Sequence, residues 1–132
     1  MEKPSFHERG QLLVLLASKD PFTDDWWTKW CDAIRSASIR GSVRVFVDAR
    51  DGTVRPTSVQ REMLRESAPP HLVKSAVVTD SMIVRGIITA LSWYDYADNK
   101  AFDSLSFRAA LDHLECTAEE RTWVLSLCAP VP

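Results

Sequence analysis

Three short, almost unbroken apolar runs punctuate this chain, at residues 12–17, 42–48 and 72–79, with stretches of helical period between and after them. A short apolar run bounded by turn residues is the pattern of a strand buried on both faces. Leu12-Leu13-Val14-Leu15-Leu16-Ala17 is the clearest example. Val43, Val45, Phe46 and Val47 mark the second run, and Val73, Ala76, Val77 and Val78 the third. Such strands, separated by helices, require right-handed crossovers and a mainly parallel sheet. The fold class is therefore α/β, with a mostly parallel or mixed sheet of four to five strands and helices on both faces. At 132 residues the chain is expected to form a single domain over residues 1–132.

The segments around these runs carry their own start and stop signals. Residues 5–8, before Arg9-Gly10, suit a short edge strand in a hairpin. A helix is expected over 23–37, with Thr23 as N-cap and Asp24 and Asp25 in the first turn, where the helix dipole favours negative charge. Asp51-Gly52 is a turn signal. Pro56 suits the first turn of a helix reaching residue 67, striped by Val59, Met63 and Leu64, and Pro69-Pro70 stops it. Asp80 or Ser81 caps a helix over 81–92 that is apolar on most sides (Met82, Ile83, Val84, Ile87, Ile88, Leu91) and should be largely buried. Lys100-Ala101-Phe102 suits a short strand. Helices over 104–114 and 117–127 follow, the second opened by a capping box from Thr117 to Glu120.

A hairpin and a helix come first, then a strand ending Val45-Phe46-Val47-Asp48-Ala49-Arg50. A helix opened by Arg55-Pro56-Thr57-Ser58-Val59-Gln60-Arg61 follows, and then a strand Ala76-Val77-Val78-Thr79 closed by Asp80-Ser81. This order resembles the SpoIIAA-like group of the STAS superfamily, related in fold to anti-sigma-factor antagonists and CRAL-TRIO domains. Lys100-Ala101-Phe102-Asp103, leading into Ala109-Ala110-Leu111-Asp112-His113-Leu114, resembles the last strand and helix of that group. The resemblance spans about residues 5–115 and leaves 117–128 as an appended C-terminal helix. It implies a non-enzymatic regulatory or adaptor module that acts by protein–protein interaction. In anti-sigma-factor antagonists an Asp-Ser-x-Gly signature carries a phosphorylated Ser at a helix start. Here that pattern is absent, and the resemblance extends only to the hydroxyl of Ser58 as a site of phosphorylation.

Charge and cysteine content narrow the classes of partner. Sixteen Lys and Arg against eighteen Asp and Glu give a net charge of -2, whereas proteins that bind nucleic acid are usually basic on one face. No nucleic-acid partner is expected. The apolar stretch 82–91 is interrupted by Arg85 and too short to span a membrane, and the polar first nine residues do not read as a leader. Three widely spaced cysteines suggest reduced thiols and a cytoplasmic location. His113, Cys116 and Cys128 fall short of the four ligands of a structural zinc site, so no metal is expected, and no cofactor. No nucleophile elbow, phosphate loop or dinucleotide fingerprint is present, and no catalytic residue is assigned.

Two clusters remain. The exits of the second and third runs should lie side by side at the carboxyl edge of the sheet, where open α/β folds gather ligands. Arg50, Arg55, Thr57 and Ser58 on one exit, with Asp80 and Ser81 on the other, could hold an anion or phosphorylated residue against free helix N–H groups. The plainer alternative makes the hydroxyls and Asp80 helix caps and leaves the arginines solvated or ion-paired. The second cluster is Trp26, Trp27 and Trp30. Trp27 is turned roughly 100° from Trp26 around a helix, which suggests surplus indole for an interface with another protein or a second copy of this chain. The alternative is that all three are core. A different class of function, small-molecule or lipid binding, would use an apolar cavity under helix 81–92.

Overall fold

Gly10 takes a φ of 59°, in the left-handed region that side chains resist. It turns Ser5–Arg9 (β1) back onto Leu12–Leu16 (β2) as an antiparallel hairpin. Val43–Asp48 (β3), Val73–Val78 (β4) and Asp98–Phe102 (β5) then add in parallel, so the order in space, β1-β2-β3-β4-β5, is the order in sequence. This is the mixed α/β sheet expected, and its last strand contains the expected 100–102. The structure, a computed structural model, describes residues 3–50, 56–82, 84–85 and 98–128.

Helices with both ends among the described residues flank the sheet: Asp24–Arg40 (α1), Ser58–Ser67 (α2), Phe107–His113 (α3) and Ala118–Leu127 (α4). The Thr23 hydroxyl caps α1 by accepting from the Trp26 N–H at 3.1 Å, and the helix runs three residues beyond the expected end. Pro56 lies outside α2, because Thr57 takes the N-cap. Its hydroxyl accepts from the Gln60 N–H while the Gln60 side chain accepts from the Thr57 N–H. The expected helix 104–114 begins as a 3-10 turn, Ser104–Ser106, because the Asp103 carboxylate holds the Leu105 N–H at 3.0 Å. Of the expected helix 81–92, Met82, Val84 and Arg85 are helical. Its remainder, including Ile87 and any cavity beneath it, lies outside the described residues, as do Asp51-Gly52 and Arg55.

Strand alternation gives the sheet two apolar faces. Leu13, Leu15, Val43 and Val45 meet α1 through Trp27, Trp30, Cys31, Ile34 and Ala37, with Met63 and Leu64 of α2 at the margin. Right-handed crossovers that step steadily along a sheet put α1 and α2 on this one face. Leu12, Val14, Phe46, Ala76, Val78 and Phe102 point the other way, onto Phe107, Ala110, Leu111 and Leu114 of α3 and its cap, and Val124 of α4. The C-terminal helix expected beyond residue 115 is present, and its Val124 joins this core. Helix α4 runs along β3: the Arg44 guanidinium meets the Glu120 carboxylate near its start, and the Cys128 thiol reaches Asp48 at its end. Among the described residues, no helix is long and apolar enough to cross a membrane.

Candidate functional site

The carboxyl edge of the sheet is level. Ala17 N–H donates to Asp48 O, Ala49 N–H to Val78 O and Thr79 N–H to Phe102 O, at 2.8–2.9 Å, so each parallel pair continues one residue past its strand. The exits of β3 and β4 are adjacent, as expected. What they present differs from the expectation.

Arg50 is committed elsewhere. Its backbone N–H donates to Asp48 Oδ1 at 3.2 Å, its Nε to the same oxygen at 3.0 Å and a terminal nitrogen to Oδ2 at 2.9 Å. The pair is nearly closed to water, with side chains 11% and 10% exposed, and the guanidinium lies 5.0 Å from the Phe107 ring centre. Phe107 belongs to the face covered by α3 and α4, whereas α2 packs on the opposite face with α1. Arg50 is thus held by Asp48 on the Phe107 side of the edge, and Arg55 lies outside the described residues. Burial first, and then the Asp48 charge, push the Cys128 thiol up to about 12, so it is a packed hydrogen-bonding group rather than a nucleophile. Burial likewise raises Cys31 to about 11.

The start of α2 is tied to the start of α1 through one residue. Gln60 is 2% exposed; its Nε2 donates to Phe22 O at 2.9 Å and to Asp24 Oδ1 at 3.0 Å, and its carbonyl accepts from Trp27 Nε1 at 2.7 Å. The Asp24 carboxylate therefore sits beside the N–H groups expected to hold an anion, and like charge disfavours a phosphate there. Thr57 serves as a cap, and Ser58 is exposed at the first position of α2.

At the next exit the Ser81 N–H donates to Thr79 Oγ1, the Ser81 hydroxyl accepts from the Val84 N–H, and Arg85 reaches the Thr79 carbonyl at 2.8 Å. Asp80 accepts from the Ser104 N–H at 3.0 Å, which bridges the exits of β4 and β5 and holds its carboxyl below the ordinary range. Asp80 and Ser81 act as structural clasps.

Trp27 and Trp30 are each 2% exposed, which corrects the expectation of a three-indole surface. Trp26 alone is half-buried, packed among Phe6, Phe22 and Trp30 with ring centres 5.3–6.5 Å apart. Rotating Trp27 away from Trp26 turns it toward α2, where the Gln60 carbonyl takes its N–H.

Other large apolar side chains reach water, Ile39 at 81% near the end of α1 and Leu125 at 44% on α4 among them. Val59 is 67%, Met82 78% and Leu105 83% exposed. The helical period assigns Val59 to the buried stripe of α2 and Met82 to a buried helix; in the fold both point outward. Each of the three follows a different strand, β3, β4 and β5 in turn, so all three stand at the carboxyl edge. Leu105 between two serines is the one legible signal, an isolated large apolar residue in a polar turn. Among the described residues, no group of three or more His, Cys, Asp or Glu side chains is placed to hold a metal ion.

No protein-family model matches this sequence, and no curated protein does. A solved structure does match: an uncharacterized protein of the DUF3478 family from Shewanella loihica PV-4, described as having a SpoIIAA-like fold. It aligns with a TM-score of 0.64 over 86% of this chain and 95% of its own, at 15% identity. The fold is SpoIIAA-like, as the sequence resemblance implied.

Proposed function

We propose that this chain is a non-enzymatic regulatory or adaptor module that binds another protein through the carboxyl edge of its sheet. The observation that carries this reading is the row of exposed apolar side chains, Val59, Met82 and Leu105, on three successive strand exits. Scattered apolar residues are ordinary on a protein surface, but large ones gathered at one edge of a sheet mark a contact surface. The buried Asp48–Arg50 pair and the Asp80–Ser104 clasp give that edge a fixed shape, which lowers the ordering cost of binding. Thiols free of disulfide at Cys31, Cys116 and Cys128 fit work in a reducing compartment such as the cytoplasm.

The test is affinity capture from the native cell with the wild type, a Met82→Ser, Leu105→Ser double variant and a Glu62→Ala control. The double variant is expected to lose a protein that the wild type and control retain, at unchanged melting temperature. Identical capture by all three removes the carboxyl edge as the contact surface.

A further inference from the structure

We propose that His113 and Asp98 form a proton-operated latch: the imidazolium ties the end of α3 to the start of β5, and the neutral ring loosens it. The proposal is independent of the carboxyl-edge reading, because it concerns the other end of β5. The observation behind it is an idle nitrogen. His113 Nε2 is shut off from water and has no hydrogen-bond partner among the described residues. Buried polar atoms without a partner are rare in folded proteins, and each asks for a physical reason. Asp98 Oδ1 stands 3.5 Å from this nitrogen. A closed charge-assisted bond is shorter, at about 2.7–2.9 Å. The Asp98 side chain is 60% exposed and can swing through the remaining gap. His113, 15% exposed, is held against the Phe102 ring, with 5.9 Å between ring centres.

The charges around the ring come from every element packed on it. Strand alternation puts Asp98 and Lys100 of β5 and Lys74 of β4 on the face that α3 covers, in line with Phe102 and Val78. Lys74 Nζ lies 3.8 Å from Asp98 Oδ2 and 3.8 Å from Glu115 Oε1, just past the end of α3. Lys100 lies over the Phe102 ring, 5.5 Å from its centre. Asp112 of α3 is taken by Arg121 of α4 at 2.7 Å. The two lysines oppose another cation, and the carboxylates favour one. Asp98 is the carboxylate that faces Nε2. His113 is also the last residue of α3, where the carbonyls of the final turn favour positive charge. In the neutral ring Nε2 is either a lone pair turned toward a carboxylate or an uncharged donor. In the imidazolium it is a charged donor, the stronger partner. Strand β5 is an edge strand bonded to β4 alone, so a tie at its first residue resists fraying. The tie is present on the acid side of the range where histidine changes charge, about pH 5–8, and is lost as pH rises.

Hydrogen exchange at the two ends of that range tests this, with rates corrected for the intrinsic pH dependence of amides and referenced to β3. In the wild type the β5 amides should be about tenfold better protected at the acid end, the equivalent of one hydrogen bond to a charged group. The Nε2 nitrogen of His113 and the carboxyl carbon of Asp98 should shift together in an NMR titration. Asp98→Asn keeps an acceptor but removes the charge, and His113→Gln keeps a donor that does not titrate. Both should make β5 protection independent of pH. His7 and His71 are unchanged in both variants, so they do not account for the difference. Equal protection of β5 at both ends in the wild type overturns the proposal, and so does a pH dependence that survives in Asp98→Asn. If His113→Gln does not fold, Asp98→Asn, at an exposed position, decides alone.

Discussion

Trp27 shows how one side chain can be read two ways from sequence and only one way in the fold. Its indole closes the space between α1 and α2, 2% exposed, with its N–H donated to the Gln60 carbonyl at 2.7 Å. Truncation would leave a cavity and strand a buried carbonyl, so Trp27→Ala is expected to cost about 3–5 kcal/mol and to lower the melting temperature sharply. Trp26→Ala, at a half-buried position, should cost less. A thermal melt of both variants checks the ranking, and an unchanged midpoint for Trp27→Ala would return that indole to the surface. The helical period correctly shows that the three tryptophans do not share one face. It cannot show that a second helix stands on the flank of the first, because that neighbour comes 33 residues later in the chain.

At the scale of elements, α4 depends on Glu120, which closes its own capping box and meets Arg44 of β3. The Arg44 hydrogen bond holds the Glu120 carboxyl at about 2, below its ordinary 4.5. A carboxylate whose folded pKa is depressed stabilises the fold above its unfolded pKa. That contribution is lost as pH falls from about 4.5 toward about 2, and amounts to up to about 3 kcal/mol. Acid titration followed by hydrogen exchange should show α4 amides opening in this window before those of β3, and Arg44→Met should weaken the pH dependence there, leaving the part due to the Thr117 capping bonds. The capping box itself is legible as Thr117 to Glu120, and the equivalent box from Thr57 to Gln60 is open to the same reading. Both rest on local spacing. The partner of Glu120 lies 76 residues away, and no periodicity points to it. For the same reason the packing of residues 117–128 on the sheet is not legible in sequence: a helix judged by its own residues does not reveal which sheet face it meets.

At the scale of the whole molecule, β2, β3 and β4 form the centre of the sheet, flanked by β1 and β5. Ladder hydrogen bonds beneath helices on both faces open only with the whole fold, so amides of Leu13, Val45 and Ala76 should be the slowest to exchange. Exchange at β3 as fast as at β1 would contradict this topology. The apolar runs make the strands, their parallel sense and both covered faces legible, since burial on two sides leaves a continuous hydrophobic signature. The carboxyl-edge surface is far less so. Val59 and Met82 carry the same side chains that core positions use, and only the finished packing distinguishes them. Strand order that repeats chain order has a further consequence for biosynthesis. As the polypeptide emerges during translation, each strand can dock on the one made just before it, with no earlier edge held open for a later arrival. The face carrying Leu12, Val14 and Phe46 is the exception. Its cover comes from α3 and α4, which follow every described strand, so the nascent chain must keep that surface from other contacts until both have emerged.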